Sequence, residues 1–156
     1  MPPLQFVNLN NLFPTFFCIG FLRPAPGTWG SLAGIISAYF LLGLTNFFTF
    51  CFLLILTIVF GFLTTKKYLE NNPEKSDPSE VVIDEVIGQW IPLLVIDINN
   101  TSMIILAFLL FRFFDIFKIY PINKLESISG ANGVILDDIF AGIAAAFTVT
   151  VLLLVI

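Results

Sequence analysis

The stretch Ile139–Ile156 carries no charged side chain, and four further apolar runs precede it: Ser31–Leu44, Phe47–Thr65, Val86–Ile98 and Ser102–Phe117. A run of about 18 or more apolar residues with almost no charge reads as a helix that crosses a bilayer. Lipid offers no hydrogen-bond partner to an exposed amide, so only helices and closed barrels cross it, and these runs lack the alternation a barrel strand needs. Composition agrees. The chain is 58 % hydrophobic and 12 % charged, against about 45–50 % and about 25 % in soluble domains. The expected fold is therefore all-α: a polytopic helical membrane protein with four to five membrane helices, forming one domain over residues 1–156. Thr45-Asn46 marks a turn or a kink between the first two runs, and Gly88, Gln89 and Pro92 interrupt the third.

The residue inventory limits the chemistry. There is no histidine among the 156 residues, which removes imidazole as base, nucleophile or metal ligand. Cys18 and Cys51 lie in apolar surroundings, where cysteine acts as a small hydrophobe. The net charge of -4 and the lack of a basic stripe argue against nucleic acid. Pro2–Phe21 has no basic start and no small-residue cleavage pattern, so it reads as a membrane-skimming or short re-entrant segment and not as a signal peptide.

Alternating the runs across a bilayer places every basic residue on one side. Arg23, Lys66, Lys67, Lys75, Arg112, Lys118 and Lys124 share that side, and the turns at Thr45-Asn46 and Asn99–Thr101 carry none. The positive-inside rule makes it the cytoplasmic side.

Four segments with unusual polar content fall on the same side. Pro26-Gly27-Thr28-Trp29-Gly30-Ser31 combines a tight loop with hydroxyls at a helix start, either a phosphate cradle or an ordinary N-cap. Asp84-Glu85 stands where a polar stretch becomes apolar, and it suits either a helix dipole or hard-oxygen metal ligation. Arg112, Asp115 and Lys118 are spaced by three on one helix face. Charge within a membrane helix is costly and marks function. Asp137-Asp138 opens the last run, with Gly142 one turn on; a dipole needs only one of those aspartates. Together these residues suit a divalent cation such as Mg²⁺ and a phosphate.

In order along the chain, Pro26–Ser31, Asp84-Glu85-Val86-Ile87-Gly88, Phe111–Lys118 and Gly133–Gly142 resemble the bacterial phosphatidylglycerophosphatase A family. The resemblance covers about Gly20 to Gly142, with departures at Lys118–Ile122 and Gly130-Ala131. It implies Mg²⁺-dependent removal of the terminal phosphate of phosphatidylglycerophosphate, at the cytoplasmic face of the inner membrane. It further implies Asp84, Glu85, Asp137 and Asp138 as metal ligands, and Thr28, Ser31, Arg112 and Lys118 as phosphate ligands. Asp84, Asp115 and Asp138 are then the catalytic carboxylates, with Asp115 orienting the cations or serving as base. The alternatives are a lipid phosphotransferase, which would act on a nucleotide-activated lipid, and an ion transporter. A transporter needs a polar path across the whole bilayer, and Asp97 is the one acidic residue near the far side.

Overall fold

A computed structural model of the chain describes residues 9–75, 78–120, 122–126, 128 and 130–155. Residues 2–8 of the expected skimming segment, Pro121 and Ile156 lie outside these. The described residues form helices and turns, with no strand among them. The order is α1 (Leu9–Leu12), a 3₁₀ turn (Ile19–Phe21), α2 (Pro26–Leu44), α3 (Phe47–Asn71), α4 (Ile83–Leu93), α5 (Thr101–Phe117), α6 (Ile122–Glu126) and α7 (Ala131–Val155).

Residues 31–65 thus form parts of two helices. Asn46 ends the ambiguity: its side-chain oxygen accepts from the Thr49 amide at 2.9 Å and caps α3. Three helices, α2, α3 and α7, are long and apolar enough to cross a membrane. The 17 residues of α5 span about 26 Å, a little under the roughly 30 Å of hydrocarbon. The 11 residues of α4 reach only about 16 Å. The run expected at Val86–Ile98 therefore differs from the observed helix, which starts at Ile83 and stops just after Pro92, where the ring removes a backbone donor.

Helix α4 is the strut of the bundle. Nine of its eleven residues are buried, so protein and not lipid surrounds its polar groups. It packs against α2 through a stripe of small residues, since a Cβ on Gly34 would lie 3.3 Å from the Val86 backbone. Trp90 fastens the pair, donating its indole N–H to the Gly34 carbonyl at 2.9 Å. Small residues at such crossings let helix backbones come close where no hydrophobic force drives association. The outward faces are apolar and exposed, with Phe40, Phe48, Phe52, Phe60 and Phe147 among them, as a lipid-facing surface requires.

The described part of the N-terminal segment is not a re-entrant helix. It consists of the single-turn α1, a run of turns and the 3₁₀ turn, and its Pro14 carbonyl accepts the amides of Val82 at 2.9 Å and Ile83 at 3.1 Å. Those are donors that the start of α4 would otherwise leave unpaired. The segment thereby fixes the end of α4 that carries Asp84 and Glu85.

Candidate active site

The first turn of α2, the last turn of α3, the first turn of α4, the end of α5 and the second turn of α7 surround one cavity of about 730 Å³. Each helix brings its polar residues to that end. Asp84 and Glu85 are the second and third residues of α4. Asp137 and Asp138 do not open their helix as expected: α7 begins at Ala131, so they sit in its second turn, buried. A dipole at the helix start cannot account for them there, because its effect fades within the first turn.

Asp84, Glu85 and Asp138 each offer a carboxylate oxygen, and the three lie within 4.8 Å of one another. At that separation two unit charges repel by at least about 3.5 kcal/mol for an effective dielectric of about 20. A cation among them offsets this. The second oxygen of Glu85, Oε2, is buried and has no protein partner. The spacing also suits a small divalent ion, whose opposite ligand oxygens stand about 4 Å apart when each bond is 2.0–2.1 Å. Asp84 Oδ1 accepts the Glu85 amide at 3.0 Å and Asp137 Oδ1 the Asp138 amide at 3.0 Å, so both pairs are braced alike.

The fourth expected metal ligand is placed differently. Asp137 is ion-paired with Lys118 at 2.7 Å. Lys118 stands just past α5 in a left-handed backbone conformation with φ 43°. Asp115 is ion-paired with Arg112 at 2.5 Å. Arg112 Nη1 also donates to Ser31 Oγ at 3.4 Å, and Ser31 donates to the Gly27 carbonyl at 2.9 Å. Ser31 is wholly buried. It backs the guanidinium and does not line the cavity; Thr28, half-buried, does not line it either. From α2 the cavity meets Ala25, Pro26 and Gly27. A Cβ at position 27 would displace the Glu85 carboxylate and come within 3.3 Å of Arg112 Nη1, so glycine here leaves room for both side chains.

Two groups escaped the sequence reading. The polar stretch after Lys66 looked like a solvated loop, yet it folds back and lines the cavity with Lys75. Lys75 is ion-paired with Glu80, which also accepts from the buried Tyr68 hydroxyl at 2.8 Å. Burial alone would push the Glu80 carboxyl up; the hydrogen bonds from Lys75 and Tyr68 outweigh it and hold the group below its ordinary value. Pro73 and Pro78, which frame Lys75, were the one signal of a loop with a fixed course. The second group is Gln89, one turn beyond Glu85 and fully buried, with neither amide atom bonded to protein.

The apolar helix bundle thus gathers a carboxylate cluster beside two braced cations, in a chain with no histidine. The family model for phosphatidylglycerophosphatase A matches residues 12–153. Phosphatidylglycerophosphatase A of Haemophilus influenzae is 36 % identical over 151 residues, covering 94 % of this chain and 92 % of that one. Its Escherichia coli namesake is 30 % identical over 148 residues, covering 92 % and 83 %. A Bacteroides thetaiotaomicron protein named for phosphatidylinositol-3-phosphatase activity is 39 % identical over 145 residues, covering 90 % and 91 %. No solved structure matches. The chain belongs to the phosphatidylglycerophosphatase A family, and it is a phosphatase.

Proposed function

We propose that this protein hydrolyses the terminal phosphate of phosphatidylglycerophosphate to give phosphatidylglycerol and inorganic phosphate, with Mg²⁺, at the cytoplasmic face of a bacterial inner membrane. The observation that carries the reading is the clustering of Asp84, Glu85 and Asp138 within 4.8 Å, in the same cavity as Arg112 and Lys118. The names of two relatives supply the lipid. All seven Lys and Arg residues lie at or near the helix ends and connections on the cavity side of the bundle, which supports the cytoplasmic placement.

Asp84, Glu85 and Asp138 would hold Mg²⁺, and Asp137 is ion-paired with Lys118 beside them. Such an ion, when bound, would supply Lewis-acid polarisation of the phosphoryl group and a more acidic water. Arg112 and Lys118 take the non-bridging oxygens and neutralise charge as it builds. Asp115 keeps the Arg112 fork in place and is close enough to the cavity to accept the proton of the attacking water. The water oxygen bonds to phosphorus, the bond from phosphorus to the glycerol oxygen breaks, and that oxygen takes up a proton. Ser31 would brace Arg112 and the α2 turn from behind.

One observation favours a second headgroup: the Bacteroides relative is named for a phosphoinositide. Both lipids carry a phosphate monoester beyond a phosphodiester. The test is phosphate release in mixed micelles from phosphatidylglycerophosphate, phosphatidylinositol 3-phosphate and phosphatidic acid. The expected result is a kcat/KM at least tenfold higher for the first. Preference for the phosphoinositide would replace the substrate, and no release from any of the three would overturn the reading.

A further inference from the structure

The cavity is much larger than one phosphate group, and its charges are unevenly disposed. Arg112 is paired with Asp115 within α5, and Lys118, just past α5, is paired with Asp137, the neighbour of Asp138 on α7. Lys75 comes from elsewhere, on the connection between α3 and α4, and its counter-ion Glu80 faces away from that cluster toward α3. The ammonium is not left to wander as a surface lysine would be. Glu80 anchors it, the Tyr68 hydroxyl anchors Glu80 from the buried face of α3, and Tyr68 itself is 2 % exposed. Pro73 and Pro78 line the cavity on either side of Lys75, and each fixes the backbone it belongs to. The Val81 amide closes the turn onto the Pro78 carbonyl at 2.9 Å. A cation held by Glu80 and Tyr68 in the wall of the cavity, on a connection that carries none of the three clustered carboxylates, is a built feature.

We infer that Lys75 is a specificity-determining residue that binds the non-reacting phosphodiester of the lipid headgroup while the monoester lies at the carboxylate cluster. The inference rests on the reading of the protein as a lipid phosphomonoesterase. It assigns the second negative charge of the substrate to the α3–α4 connection, leaving Arg112 and Lys118 for the phosphate that is cleaved. An ammonium suits this task, being a compact point charge with three donors that tolerates different diester geometries.

The experiment compares wild type with Lys75→Ala and Lys75→Arg, purified in detergent, on phosphatidylglycerophosphate, and measures inhibition by inorganic phosphate in parallel. Inorganic phosphate has no diester and reports only on the reacting site. For Lys75→Ala the expected result is a KM raised about tenfold, the gain of one charge-assisted contact. kcat and the inhibition constant for phosphate should stay within twofold, and Lys75→Arg should recover most of the KM. An unchanged KM, or an inhibition constant for phosphate that rises in step with it, overturns the inference while leaving the phosphatase reading intact. A fall in kcat with a lowered melting temperature that Lys75→Arg does not repair shows a structural tether only, and also overturns it. No turnover by wild type sinks the reading beneath it, and the inference with it.

Discussion

Gly88 sits where α4, α5 and α7 meet, and adding one methyl group there tests how the carboxylate cluster is held. A Cβ on Gly88 would lie 2.7 Å from the Asp138 carbonyl oxygen and 2.5 Å from the Phe111 ring. The ring can tilt, but the carbonyl is backbone. Ordinary contact begins at 3.4 Å, so α7 must retreat by about 0.7 Å at the residue that supplies one of the three clustered carboxylates. Overpacking of this kind destabilises by about 1–3 kcal/mol. Misplacement by 1 Å can lower a rate about 100-fold, so Gly88→Ala should lose roughly 10- to 100-fold in kcat. The assay is phosphate release from phosphatidylglycerophosphate alongside thermal unfolding in detergent. Gly43→Ala is the control, because a Cβ there meets nothing within 4 Å; it should keep full activity and gain a few tenths of a kcal/mol in stability. A folded Gly88→Ala protein with wild-type turnover would refute the claim that this crossing sets the site.

Arg112→Lys keeps the charge but loses the planar guanidinium whose Nη1 contacts both Asp115 and Ser31; kcat/KM should fall about 100-fold or more, and steady-state kinetics check this. Glu80→Gln tests the tether through pH. The Glu80 carboxyl is held below its unfolded value, so its stabilisation is full above the ordinary carboxylate range and disappears as pH falls through the lowered folded value. Wild type should therefore exceed Glu80→Gln by on the order of 1 kcal/mol near pH 7, with the difference closing below about pH 4 in chemical denaturation. Asp97→Asn should leave turnover within twofold, because Asp97 is exposed and only braces the Asn99 turn at 2.9 Å; a large loss would revive a path across the bilayer.

The helices were legible because apolar runs and polar turns announce them, and Thr45-Asn46 and Asn99–Thr101 both proved to be real breaks. The shortness of α4 was not, because periodicity cannot show that a helix is buried on all sides. Its buried carboxylates and Gln89 are tolerated only because α2, α5 and α7 replace lipid around it. At the site, Asp84, Glu85, Asp115, Asp138 and Arg112 could be found from their cost in an apolar chain. Pairing could not. Spacing by three put Lys118 on the Arg112 face, but α5 ends at Phe117 and the left-handed Lys118 turns to Asp137 instead. Nor could spacing show that Ser31 lies buried behind Arg112. Lys75 was hidden because a polar, proline-bearing loop looks the same in sequence whether it faces water or folds over a cavity.

The central claim is that three clustered carboxylates hold a metal ion for phosphate-ester hydrolysis. Its most direct test is phosphate release from phosphatidylglycerophosphate by the detergent-purified protein, titrated with Mg²⁺ and with EDTA, beside folded Asp138→Asn. The account predicts turnover that saturates with Mg²⁺, vanishes in EDTA, returns when Mg²⁺ is restored and is absent from the variant. Turnover that persists in EDTA, or that survives in Asp138→Asn, would contradict it.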